Sequence, residues 1–175
     1  MRLYLIISLF LNYQHVLPLP QTAPYLTATA LVAKNGNTAF ECWLLTKPFE
    51  RPSLSGLNGA QVANIGNFTN LSYSIMPPRW DGNGLHNSPA LQLVHYLSGV
   101  AHVTLPHNSV EAWIKGGVEG LLFATDTTGT GHFTKYPTNE ETVVIMAPFK
   151  DRKGPDHIIL ANRPCNKQQK FPQGS

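Results

Sequence analysis

The chain has 175 residues, enough for one domain with a core of its own. Its charged residues, 13% of the total, are about half the usual share. The net charge is only +3, and Arg152-Lys153 and the tail lysines Lys167 and Lys170 read as solvated ends, so composition excludes a nucleic-acid-binding surface.

In chain order, Arg2 and the apolar run Leu3 to Leu11 come first. That run is too short for a membrane span and suits a secretory signal over residues 1–20, with cleavage expected between Asn12 and Ala23. The alternative is a first β-strand. A single domain over 21–165 follows, then a polar tail over 166–175. Within the domain, short runs alternate apolar and polar residues with period two between turn residues, which points to antiparallel strands. Tyr25 to Ala33 meets Asn35-Gly36, a hairpin signal, with Thr38 to Leu45 as partner. A Pro- and Gly-containing loop runs from Thr46 to Ala60, and Leu71 to Met76 is a strand stopped by Pro77-Pro78. Ala90 to Leu97 is read as turning at Ser98-Gly99 into Val100 to Leu105. Val110 to Ile114 and Val118 to Ala124 are read as a hairpin about Gly116-Gly117, and Thr142 to Phe149 and His157 to Leu160 close the series. Without an amphipathic helix of three turns, this pattern predicts an all-β antiparallel barrel or jelly roll.

Two further features favour an oxidising, extracellular setting. Asn67-Phe68-Thr69 and Asn70-Leu71-Ser72 are glycosylation sequons. Cys42 and Cys165, the two cysteines of the chain, permit one disulfide, with two unrelated thiols as the alternative.

Strand alternation also suggests a pocket. A two-residue turn at Ser98-Gly99 would pair Tyr96 with Ala101, Val94 with Val103 and Gln92 with Leu105. One amide and one phenol would then stand on an apolar face, as in a small-molecule cavity. Arg79 and Trp80 are placed at its mouth, with Arg79 able to meet an anionic ligand; the alternative is a surface Arg79 stacked on Trp80. The plainer alternative makes Gln92 and Tyr96 hydrogen-bonded core residues. The same pairing sets His95 opposite His102 on the outer face. A catalytic triad finds no support, because Ser88 lies near His86 but no carboxylate is placed by sequence to orient that imidazole. No nucleophile elbow, dinucleotide-binding loop, phosphate loop, zinc-protease helix or Cys-x-x-Cys is present.

The segment from Asn83 to Phe149 resembles a cupin domain. The first cupin motif has the form G-x5-H-x-H-x3-4-E-x6-G. Here His86 stands at its first His, Ser88 replaces the second, and Gln92 replaces the Glu, six residues separating it from Gly99. In the second motif, G-x5-P-x-G-x2-H-x3-N, Gly129 and His132 keep their spacing, while Thr127 replaces the Pro and Tyr136 the Asn. The wording H-N-S-P-A-L-Q…L-S-G followed by D-T-T-G-T-G-H is similar to small single-domain cupins, and the N-terminal Y-L-T…N-G-N-T-A-F resembles small secreted fungal members. The resemblance implies a jelly-roll barrel with His86, Gln92 and His132 around one divalent transition metal (Fe, Mn, Zn, Ni or Cu). It also implies a small-molecule ligand, and it makes a homodimer the expected assembly. An enzyme of this kind would carry out metal-assisted oxygenation, isomerisation or decarboxylation, with Tyr96 positioning or protonating the substrate. The rival expectation is a non-catalytic secreted binding protein with a vestigial metal site, favoured by the Ser88 and Gln92 departures.

Overall fold

The structure, a computed structural model, describes residues 25–165; the expected signal segment 1–20 and the tail 166–175 lie outside the described residues. The described chain is all-β, with ten strands. They are β1 (Tyr25–Lys34), β2 (Asn37–Pro48), β3 (Ser72–Met76), β4 (Gln92–Tyr96), β5 (Val100–Leu105), β6 (Asn108–Lys115), β7 (Leu121–Ala124), β8 (Phe133–Lys135), β9 (Thr142–Pro148) and β10 (His157–Ala161). Nine of them fall where period-two alternation places strands. The tenth, β8, has only three residues and was not expected. The β1–β2 hairpin turns at Asn35-Gly36, both with positive φ (51° and 77°), as a type I′ turn requires.

The strands form two sheets. The larger has the order β10-β2-β1-β7-β4-β9-β3 and the smaller β6-β5-β8. Two expectations are corrected here. The sheets keep open edges and do not close into one hydrogen-bonded barrel, and β1 and β7 run parallel rather than antiparallel.

The hairpins expected at Ser98-Gly99 and Gly116-Gly117 are also absent. The reason is that β4 is already paired on both sides, by β7 and by β9. The chain therefore crosses from the larger sheet to the smaller at Ser98-Gly99 and returns at Gly116-Gly117. The pairings Tyr96–Ala101, Val94–Val103 and Gln92–Leu105 do not form; β5 pairs β6 and β8 instead. The expected shared face survives for a different reason, because the sheets face each other. Val94 and Tyr96 of β4 and Ala101, Val103 and Leu105 of β5 join one buried core with Leu31, Ile114, Leu122 and Val144.

The other face of the larger sheet buries Ala28, Ala30, Trp43, Leu45, Phe123 and Phe149, with Ile65 of the β2–β3 loop packed against them. Crossing between sheets also separates His95 from His102. His95 lies opposite Leu121 and Ile145 on the larger sheet. His102 lies on the smaller sheet, with Nε2 2.8 Å from Glu111 Oε2 and its ring stacked 3.7 Å from that of Trp113. No His95–His102 pair exists.

Cys42 and Cys165 are joined in a disulfide, with Cα atoms 4.8 Å apart across 123 residues of chain. Asn67 and Asn70 are exposed in the loop before β3. No helix among the described residues is long and apolar enough to cross a membrane.

Candidate functional site: a cavity between the sheets

The segments that carry His86 and His132 lie in separate loops, and the fold brings them face to face. His86, in the loop before β4, and His132, just before β8, form an isolated antiparallel bridge. His86 N–H donates to His132 O at 3.1 Å and His132 N–H to His86 O at 2.8 Å. Gly131 makes this approach feasible, because a Cβ there would stand 2.8 Å from His86 O. Both side chains then share a side, with ring centres 4.5 Å apart.

Behind His132 lies a carboxylate that sequence spacing did not reveal. Asp126 is fully buried, and its Oδ2 is 2.7 Å from His132 Nδ1. Ser88 Oγ donates to Asp126 Oδ1 at 2.6 Å and Thr38 Oγ1 to Oδ2 at 3.4 Å. Thr38 Oγ1 in turn accepts the Gly131 N–H at 2.9 Å. The Asp126 backbone carbonyl holds the first motif as well, accepting from Asn87 Nδ2 at 3.0 Å and Ser88 N–H at 3.3 Å. A buried carboxylate needs such donors, and Asp126 has them. One signal was available: Asp126 opens the D-T-T-G-T-G-H run, six residues before His132.

The geometry fixes both tautomers. His132 Nδ1 faces a carboxylate, and His86 Nδ1 faces the Gly84 carbonyl at 2.9 Å, an acceptor without a proton. Each Nδ1 therefore carries a hydrogen, and in the neutral form of each ring the lone pair is on Nε2. His132 is buried and His86 is exposed.

Both imidazoles line a cavity of about 410 Å³ between the sheets, together with Gln92, Val94, Tyr96 and Trp80. Met76, Leu122, Val144 and Met146 supply further apolar wall. Among the residues expected to form the pocket, Val103 and Arg79 do not line it. Val103 is fully buried in the core between the sheets. Arg79 is exposed, with positive φ, and its Nε donates to Asn139 Oδ1 instead. Trp80 stays at the cavity because its backbone bridges Tyr136 and its ring stacks on that phenol, with ring centres 5.6 Å apart.

Two polar features of the wall stand out. The phenols of Tyr96 and Tyr136 interact, and burial first, then Tyr136, pushes the Tyr96 hydroxyl well above its usual range. Burial likewise raises Tyr136. Both remain neutral and can donate a proton in a hydrogen bond. Gln92 is only 7% exposed, and among the described residues its side-chain amide makes no hydrogen bond. A buried amide without a protein partner is costly, so solvent or a ligand in the cavity must satisfy it.

The expected metal set can be tested on these donors. The two imidazoles are close enough to share an ion, but the third donor, Gln92, is a neutral amide. The nearby buried carboxylate is spent on His132 Nδ1, on the far side of that ring from its free nitrogen. Among the described residues no group of three His, Cys, Asp or Glu side chains could hold a metal. The residues present do not complete a site for a resident divalent metal, which wants three or four protein ligands and charge to offset its own.

A larger cavity of about 790 Å³ opens elsewhere, lined by Tyr25 and Cys165, the two ends of the described chain, and by largely apolar side chains. Its polar lining comes from Thr27, His95, Glu119 and Arg163. No family model, curated protein or solved structure matches the chain.

Proposed function

We propose that this is a secreted, cupin-like protein of jelly-roll type that binds a small organic molecule in the cavity between its sheets. The observation that carries this reading is the buried Gln92 amide, without a hydrogen-bond partner among the described residues, in a cavity of about 410 Å³. A cavity of this size, with apolar walls and few polar groups, matches ordinary small-molecule sites. The ligand it fits is partly apolar and carries an oxygen able to accept from Gln92. Trp80 and the two methionines offer its apolar part a wall. Secretion is supported by the Cys42–Cys165 disulfide and by the exposure of Asn67 and Asn70.

Metal-assisted oxygenation, isomerisation or decarboxylation, the catalytic expectation carried by the resemblance, lacks a complete donor set here, and the proposal is made without it. The test is a fragment screen by ligand-observed NMR on secreted, untagged protein. Fragments bearing a carbonyl or hydroxyl should bind the wild type and lose at least about 10-fold in affinity on Gln92→Leu, the cost of one lost hydrogen bond to a buried group. Equal binding to both proteins would overturn the proposal.

A further inference from the structure

We infer that His132 is a proton acceptor positioned by Asp126, and that this cavity can deprotonate a carbon acid without a metal. The substrate class is a small carbonyl compound with a C–H next to the carbonyl. The inference deepens the ligand-binding reading of the same cavity and rests on it.

Three observations carry it. The Asp126 carboxylate, fully buried, sits 2.7 Å from His132 Nδ1, so the His132 lone pair is on Nε2. Ser88 and Thr38 also donate to that carboxylate, which keeps it from turning away from the ring. The ring lines the cavity, and so does the unpartnered Gln92 amide. A carboxylate on Nδ1 holds the useful tautomer and stabilises the imidazolium that forms when Nε2 takes a proton. His86 lacks this support, because its Nδ1 meets a neutral carbonyl and its ring is exposed.

The step balances within the cavity. The C–H bond breaks and its proton goes to His132 Nε2. The electron pair forms a C=C bond, and the carbonyl becomes an enolate whose oxygen accepts from the Gln92 N–H. Returning the proton to the same carbon, from either face, restores the carbonyl and regenerates neutral His132. The outcome is hydrogen exchange or inversion at that carbon, and no oxidant or reductant is needed. His132 is the catalytic residue in this account and Asp126 a positioning residue.

The probe is 5-nitrobenzisoxazole, which loses its C3 proton to a base as its N–O bond breaks to release a coloured cyanophenolate. Chelator-treated wild type should turn it over about 10²-fold faster than His132→Ala, the usual contribution of a positioned base. Asp126→Asn should cost at least about 10-fold and switch His132 from the Nδ1–H to the Nε2–H tautomer in long-range ¹H–¹⁵N spectra. Equal rates for wild type and His132→Ala, or a rate that chelation abolishes, would overturn the inference. Should either variant fail to fold, the wild-type spectrum decides: a His132 found as the Nε2–H tautomer refutes it. Probe binding without turnover sinks this inference alone, whereas absence of any binding sinks the ligand-binding reading too.

Discussion

Gly116 donates its backbone N–H to the Gly99 carbonyl at 2.9 Å, and that bond holds the two crossings between the sheets side by side. The packing there is close. A Cβ on Gly116 would stand 2.4 Å from Ser98 Cα. Gly116→Ala should therefore destabilise the fold by about 2 kcal/mol through forced backbone displacement, read as a lower midpoint in urea. An unchanged midpoint would mean that the crossings are not packed in this way.

The same corner shows why alternation located the strands but not their partners. Ser98-Gly99 and Gly116-Gly117 read locally as hairpin turns, and nothing in the nearby residues reveals that β7 and β9 already occupy both edges of β4. Asn35-Gly36, by contrast, joins strands with free edges facing each other and was read correctly. The site divides along the same line. His86, Gln92, Tyr96 and His132, whose spacing is local to each motif, line one cavity. Asp126 is not marked by local spacing, since its role depends on Ser88 and Thr38, residues 38 and 88 positions away. Arg79, with a positive φ of 53°, donates to Asn139, a relationship between two loops that local spacing does not carry.

Replacing Gln92 by Leu should make the ligand-free protein about 1 kcal/mol more stable, because it removes a buried amide without a hydrogen-bond partner among the described residues. Thermal or urea unfolding checks this. A destabilised Gln92→Leu would show that the amide already has a partner within the fold.

Gln92→Glu should raise affinity for Zn²⁺ at least about 10-fold, because it adds the missing negative donor beside two imidazoles with free Nε2 atoms. Isothermal titration on untagged protein measures this. Tight binding by the unaltered chain would instead restore the metal expectation.

The Cys42–Cys165 disulfide closes a loop of more than a hundred residues. Chain entropy alone assigns it about 4–5 kcal/mol, so the Cys42→Ala, Cys165→Ala double variant should unfold at much lower urea concentration. A shift of less than about 1 kcal/mol would show that the bridge contributes little to this fold.

Burial pulls the His95 imidazole below its ordinary value of 6.5, so the unfolded chain takes up this proton first as pH falls. The stability associated with neutral His95 is thus full above pH 6.5 and is lost as pH drops through the lower, folded value. His95→Leu should flatten that part of the stability profile. An unchanged profile in the variant would assign the acid sensitivity to other groups.

The central claim is that a small molecule occupies the cavity between the sheets and satisfies Gln92. The most direct measurement is the ¹H–¹⁵N spectrum of the Gln92 side-chain NH₂ during titration with a bound fragment. The account predicts that this amide pair and the His132 ring nitrogens shift together and saturably. Shifts confined to backbone amides around Leu26, Leu121 and Cys165, which line the larger cavity, with Gln92 unmoved, would contradict it.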